Sequence, residues 1–476
     1  MKVRRYPKGP FPLPLIGNAY NFPRNNIHLY FDSLSERYGP CFTVWIPVPV
    51  VVFTDYTYLK EAYVTQPEAF LGRSHMSPDT ILQKHLNTGV LFSDGETWRT
   101  QRRTALKIFR DFGMGKNLME EQVSRSISEM MEQLKAIPEK TGVDMFLPLQ
   151  LCVGNVINET LLGYHFSYKD PAKFEHIVNV VSQHLILSSE STLAILVGVF
   201  PFLRYLPYIG YYGYRRIEEN IKPLHDFIED EVAQHVKTFN EDSAPENFVH
   251  AYLAEMRKSQ EGLDMKNLTA IIVDFWVAGM ETTSTSLRWH ILYMIKYPEV
   301  QRKVREEVLR VVGSDRMPSM TDKPSMPYTQ AVIHEVQRHS NMIPALPPHK
   351  CFEDVKVFDK NIPAGTLVFG QIWSILKHDE AFKESETFNP DRYLQDDGKT
   401  INKMVLERTV PFSIGKRACA GEGLARLELF LIFASLIQKF EFVANEPIDM
   451  TPMWGGVLNP KRFTVSLVPV HSSGSL

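Results

Sequence analysis

At 476 residues the chain is long enough for about three domains of ordinary size, yet no Gly/Ser linker, low-complexity run or internal repeat marks a seam, so one large domain is the simpler reading. A net charge of −3, from 52 Lys+Arg against 55 Asp+Glu, leaves no global basic field and excludes nucleic acid as a partner class. The four cysteines, Cys41, Cys152, Cys351 and Cys419, are scattered and form no CxxC pair, which argues against a disulfide framework and a structural zinc site and fits a reducing compartment.

The amino end, MKVRRYPKGPFPLPLIGN, is basic and proline-rich and has no apolar core of the kind a signal segment carries. Residues 41–54, CFTVWIPVPVVVFT, predict a hairpin with an edge or turn at Pro47 and Pro49. Apolar residues then recur at i, i+3, i+4 over 94–110, 115–136, 150–163, 215–239, 265–297, 298–312, 327–339 and 420–437, each of which predicts a helix. The longest charge-free apolar run, Ser191 to Leu203, is too short to cross a bilayer and is broken by Pro201. With the aromatics of 205–214 it reads either as a segment that dips into a bilayer surface or as buried core and a tight turn. Short strands are expected near 355–357, 366–369, 439–444 and 463–468, so the fold class is mainly α with a minor β-sheet region.

Chemistry gathers at four places. In FSIGKRACAG, Cys419 precedes an amphipathic helical pattern, where free N–H groups and the helix dipole favour an anion, so the thiol is expected as a thiolate. A thiolate is a nucleophile or a metal ligand, and with no His or Asn nearby in sequence the ligand reading fits better; a buried structural cysteine is the plain alternative. Glycines 415 and 421 would let the backbone approach something flat, with Phe412 as its apolar partner. In GETWRTQRRTALKIF, Trp98 and Arg102 share one helix face while Arg99, Arg103 and Lys107 form a second stripe. In the long helix, AGMETTST spans 278–285: Ala278 and Gly279 remove bulk, Thr282 can bond back to the Ala278 carbonyl, and Glu281 is an ionisable group in an otherwise apolar stretch. Glu335 and Arg338 stand at i, i+3, with Arg392 further on in FNPDRY.

The pattern of Phe412, Gly415, Arg417, Cys419 and Gly421 resembles the haem-binding loop of the haem-thiolate monooxygenases, the cytochromes P-450, and the chain is similar to their microsomal family-2-like branch over 7–470. The resemblance implies a large single-domain haem-thiolate monooxygenase fold, with 21–476 as the catalytic domain and 1–20 as a hinge whose membrane anchor is absent. It implies haem b as cofactor, Cys419 as metal ligand, and Arg73, Trp98, Arg102, His349, Phe412 and Arg417 as further cofactor contacts. Thr282 and Glu281 would deliver protons; Glu335, Arg338 and Arg392 would brace the core. The substrate pocket would draw on Phe275, Ala278, Ala345, Leu346 and Val457. Implied partners are an NADPH-dependent flavin reductase, since no G-x-G-x-x-G fingerprint occurs in this chain, with cytochrome b5 as a further donor, a lipophilic small molecule, and a membrane surface at the cytosolic face of the endoplasmic reticulum. The stripe of Arg99, Arg103 and Lys107, with Lys416, would receive the acidic redox partner. A peroxide-rearranging enzyme of the same fold and a haem-based sensor are the rival readings.

Overall fold

The β-branched run after Pro40 does form a hairpin. In the computed structural model, which describes residues 5–23, 26–112, 117–138, 141–258 and 261–470, β1 (Cys41–Ile46) pairs antiparallel with β2 (Val48–Phe53). Pro47 makes the turn, but Pro49 lies inside β2, opposite Trp45. It is tolerated because the backbone groups of Trp45 point the other way: its N–H donates to Asn18 Oδ1 at 2.8 Å and its carbonyl accepts from the Asn18 N–H at 2.7 Å. The segment around Lys8 to Asn18 thus covers the outer edge of β1.

Before the hairpin comes α1 (Ile27–Tyr38), and after it α2 (Tyr56–Lys60), β3 (Gly72–Arg73) and α3 (Asp79–Leu82). The helical body follows as α4 (Gly95–Asp111), α5 (Asn117–Lys135), then β4 (Gly142–Val143) and α6 (Phe146–Leu162). Next are α7 (Ala172–Glu190), α8 (Thr192–Val199), α9 (Pro207–Gly210), α10 (Arg216–Thr238) and α11 (Phe248–Arg257). Three long helices succeed them, α12 (Met265–Lys296), α13 (Pro298–Val312) and α14 (Pro327–Ser340). The chain then returns to the sheet with β5 (His349–Lys350), β6 (Val355–Val357), β7 (Lys360–Ile362) and β8 (Leu367–Gly370). It ends with α15 (Ile372–His378), α16 (Lys403–Arg408), α17 (Glu422–Lys439), β9 (Phe440–Ala444), β10 (Met453–Trp454), β11 (Leu458–Asn459) and β12 (Val465–Pro469). All eight helices expected from periodicity are present; residues 115–116 of the second lie outside the described residues.

Two cores result. The larger joins α4 to α7 with α10 to α14 and α17, and the smaller lies under the five-stranded sheet β1-β2-β8-β5-β3. The 32-residue α12 starts on Asp264, whose side chain accepts the Asn267 N–H at 2.8 Å, and runs through the middle of the larger core. A helix apolar on all sides is a central one.

The run from Ser191 divides between the two readings of it. Ala194, Val197 and Gly198 of α8 are buried, whereas Phe202, Tyr205, Leu206, Tyr208, Tyr211 and Tyr212 are exposed. Among the described residues no single helix is long and apolar enough to cross a membrane.

Candidate active site

From Ala270 to Met294, α12 is buried except for one stripe: Phe275, Ala278, Gly279 and Thr282, spaced i, i+3, i+4, i+7. Ala278 is exposed in the middle of a core helix, so open space lies against it. The Thr282 hydroxyl donates to the Ala278 carbonyl at 2.7 Å, as the spacing predicts, which leaves its oxygen lone pairs for an incoming donor. Gly279 has a different reason from the one expected: a Cβ there would stand 2.6 Å from Ile157 Cδ1, so the glycine lets α6 approach. Phe275 is edge-on to Phe109 at 4.7 Å and beside Phe248, and its ring packs the wall between α4, α11 and α12.

The cysteine loop is closed by the Cys419 N–H on the Phe412 carbonyl at 3.0 Å. Gly415 takes φ 81° and a Cβ on it would run into the Tyr63 carbonyl, while Gly421 has open space around the same point. Gly415 is therefore required by the protein's own packing. Cys419 is exposed, yet burial among surrounding atoms is the largest influence on its thiol and raises its pKa; the Gly421 N–H, Arg102 and Arg426 lower it less. The residue is thus reachable from solvent although its loop is closely surrounded by protein atoms. The helix-end influence expected to favour a thiolate is opposed here: α17 begins three residues later, at Glu422, and burial raises the thiol while the Gly421 N–H lowers it.

Cations gather by this loop. Arg73 and His349 are partners across β3 and β5; Arg73 donates to the carbonyls of Leu91, Pro347 and Pro348, and Arg417 to those of Leu71, Val90 and Ser93. Arg102 donates to the Ala418 carbonyl at 2.6 Å, tying α4 to the cysteine loop. None of the three guanidiniums forms an ion pair among the described residues. Burial, with Arg73 and Arg102 adding repulsion, pushes Arg417 down to about 8, and burial pushes Arg73 down to about 10. Since a guanidinium does not give up its proton in a folded protein, burial without an ion pair favours an anion beside it. Burial and the neighbouring Arg73 hold His349 well below its ordinary value, with its Nδ1 proton on the Phe70 carbonyl at 2.7 Å and one ring face stacked on Tyr63 at 4.2 Å. It can donate to an anion only if that anion draws a second proton onto Nε2. Trp98 lies under the Arg417 guanidinium at 4.1 Å, and its buried Nε1–H has no partner among the described residues. A planar group with two carboxylates and an iron above a thiol answers every one of these features: unpaired guanidiniums, an orphaned indole N–H and a reachable sulfur. The residues fit haem.

Glu281 points elsewhere than beside Thr282. It is buried, and its Oε2 accepts from Gln150 Nε2 of α6 at 2.9 Å. A second acid in α12, Asp274, went unread in the sequence although it too interrupts an apolar run. Its Oδ2 accepts the N–H groups of Val90 and Leu91 at 2.7 and 2.9 Å, and Gln83 Nε2 bonds both oxygens, so it clamps the loop after α3 onto α12; burial raises it to about 6 against those bonds. Of the other expected pocket residues, Ala345 is half-buried and Val457 is buried. Leu346 is a correction: it packs in the smaller core with Leu59 and Tyr63, because its N–H is fixed on the Gly370 carbonyl at 2.9 Å.

Glu335, Arg338 and Arg392 do come together. Glu335 is fully buried and receives Arg338 Nε at 2.7 Å, Arg338 Nη2 at 2.8 Å, Arg392 Nε at 3.2 Å and the Asn389 N–H at 2.8 Å. The surface stripe is less basic than expected, since Glu68 pairs with both Arg99 and Lys416, and Lys107 pairs with Glu255.

A family model described as Cytochrome P450 matches residues 7–467. The chain is 38% identical over 456 residues to cytochrome P450 2B19 of Mus musculus, covering 94% of this chain and 90% of that protein. It is 36% identical over 477 residues to cytochrome P450 2E1 of Sus scrofa, covering 98% and 93%, and 35% identical over 478 residues to cytochrome P450 2C23 of Rattus norvegicus, covering 98% and 94%. With an exposed thiol facing unpaired guanidiniums, and a long helix bared on one stripe, the chain belongs to the cytochrome P450 family, as a haem-thiolate monooxygenase whose cofactor is haem b.

Proposed function

We propose that this monooxygenase inserts one oxygen atom into a lipophilic small molecule, a fatty acid, steroid or foreign compound, using electrons passed from NADPH by a separate flavoprotein reductase. The observation that carries the reading is the bared stripe of Phe275, Ala278, Gly279 and Thr282: one aromatic ring, two small residues and one hydroxyl offer an apolar wall with a single polar point. Haem bound through Cys419 supplies oxygen activation, to which the thiolate donates electron density. Arg73, Arg102, Arg417, His349 and Trp98 hold its carboxylates, with Phe412 beside the loop. Thr282 accepts a hydrogen bond at the open stripe and hands a proton onward as Glu281 replaces it. Ala345 and Val457 complete the pocket.

Arg103, exposed and without an ion pair among the described residues, is the centre of the reductase-docking face, with Arg99 and Lys416 reached by displacing Glu68; cytochrome b5 uses the same face. The exposed Phe202, Tyr205 and Tyr208, with Arg204 stacked on Tyr205 at 4.8 Å, suit the headgroup layer of a membrane, and the cytosolic face of the endoplasmic reticulum is the location this supports.

The test is the carbon-monoxide difference spectrum of reduced protein, followed by turnover of a lipophilic panel with NADPH and reductase. A strongly red-shifted Soret band, lost in Cys419→Ala, and reductase-dependent products are expected. Products that need only a peroxide and no reductase would move the reading to a rearranging enzyme, and a stable ferrous-oxygen complex without products to a sensor.

A further inference from the structure

Helices α6 and α12 pack closely, and one polar pair spans their contact. Gln150 is fully buried, and its Nε2 gives the Glu281 carboxylate the only hydrogen bond that carboxylate receives among the described residues. A buried carboxylate is costly without donors, so this bond matters more than its single distance suggests. A second influence is Arg288, two turns further along α12 and equally buried: burial lowers its pKa, and the charge of Glu281 works against that. Arg288 cannot swing to Glu281, because its Nη2 is held by Thr285 Oγ1 at 2.6 Å and Asn459 Oδ1 at 2.9 Å. Arg288 therefore supplies a field and Gln150 the contact.

The other end of the Gln150 amide is equally informative. Its Oε1 is buried and accepts nothing among the described residues. Half a turn about the last side-chain bond exchanges donor for acceptor. With Glu281 ionised, the N–H serves it; with Glu281 protonated, Oε1 can take the carboxyl O–H. A lysine or an aliphatic residue could serve one state or neither.

We propose that Gln150 is the positioning residue of the proton relay, holding Glu281 between α6 and α12 in both protonation states so that the acid loads there and reaches Thr282 only on leaving. Each cycle takes one proton from solvent onto the carboxylate and passes one to the Thr282 side, so Glu281 returns unchanged. The inference rests on the reading that Glu281 and Thr282 carry protons.

The experiment compares ferric holoenzyme of wild type, Gln150→Met, Gln150→Glu and Glu281→Gln. Methionine keeps length and volume and removes both amide groups; glutamate keeps size and polarity but can bond Glu281 only while one of the two carboxyls is protonated. The infrared band of the Glu281 side chain, assigned by its loss in Glu281→Gln, is expected to move in both Gln150 variants. Product formed per NADPH consumed should fall about tenfold, the ratio that loss of one charge-assisted hydrogen bond corresponds to, with a larger solvent isotope effect. If the band or the isotope effect keeps its wild-type value in either folded variant, Gln150 is only packing and the proposal is overturned. If Glu281→Gln itself leaves coupling and isotope effect unchanged, the underlying relay reading fails instead, whatever Gln150 does.

Discussion

Two groups of buried and half-buried arginines in this molecule are built in opposite ways. Around Glu335, two guanidiniums share one carboxylate and their remaining donors reach the carbonyls of Leu376, Ser385, Lys383 and Thr387, so the charges are answered inside the chain. Around the cysteine loop, Arg73, Arg102 and Arg417 hydrogen-bond through their guanidiniums only to neutral carbonyls among the described residues, Asp79 and Asp94 acting on Arg73 and Asp94 on Arg417 without an ion pair, and a buried indole N–H beside them has no partner among those residues. The first group holds a counter-charge in direct contact; the second has none in ion-pair contact among the described residues and would gain one from an anion bound there. Burial of charge is therefore a poor guide to function, and the presence or absence of an internal counter-charge is a good one.

The largest effect that would break the comparison is at Glu335. Glu335→Gln leaves two buried guanidiniums with no counter-charge, and removing one partner of a buried ion group costs about 3–5 kcal/mol. Denaturant unfolding should show that loss in apo and holo protein alike. Arg417→Leu sharpens the contrast. It removes a cation that the apo protein holds at a cost, so apo stability should stay the same or rise, while haem affinity falls by about 1.5–3 kcal/mol, read from the rate of haem transfer to apomyoglobin. Equal losses in both forms would mean that Arg417 braces the fold as Glu335 does.

Asp274 stands between these cases, a buried carboxylate answered only by amides. Burial raises it from 3.8 to about 6, so the folded state binds its proton more tightly than the unfolded chain does. The stability this contributes is fully present below pH about 4 and is lost as pH rises through about 6. Relative to Asp274→Asn, which does not titrate, wild type should lose about 1 kcal/mol between pH 5 and pH 7.5. A flat difference across that range would mean that the two N–H bonds from Val90 and Leu91 offset burial completely.

What was legible in the sequence follows one rule. Periodicity gives a residue's direction on its own helix, so Thr282 bonding to Ala278, the buried Trp98 and the exposed Arg103 could all be read in advance. It does not give what the fold brings opposite. Glu281 meets Gln150 across 131 residues, Gly279 answers to Ile157, and Leu346 turns into the sheet core because a backbone bond to Gly370 fixes it there. Elements with weak contrast between faces were lost as well. In α7, Ile186 is exposed while Ile177 and Val181 are buried, and α8 is apolar on every side, so neither presents a clean stripe. Asp274 was visible all along as a lone acid in IIVDFWVAG; its partners, two amide groups after a short helix, were not.

The smallest effect belongs at the surface, where solvent stands in for a missing counter-charge and neither kind of buried logic applies. Glu68 bridges Arg99 and Lys416, all three about half exposed, and such pairs contribute about 0–1 kcal/mol. Glu68→Gln should leave unfolding within error. It frees Lys416 and leaves Arg99 with Glu96 alone, so affinity for an acidic flavoprotein reductase should rise by a few-fold at low ionic strength, read from the reductase concentration that gives half-maximal turnover. The gain must shrink as salt approaches about 0.15 M, where the screening length falls to about 8 Å. A gain that ignores salt would mean that Glu68 acts by shaping the cysteine loop through Lys416, which would tie this exposed pair to the buried cations behind it.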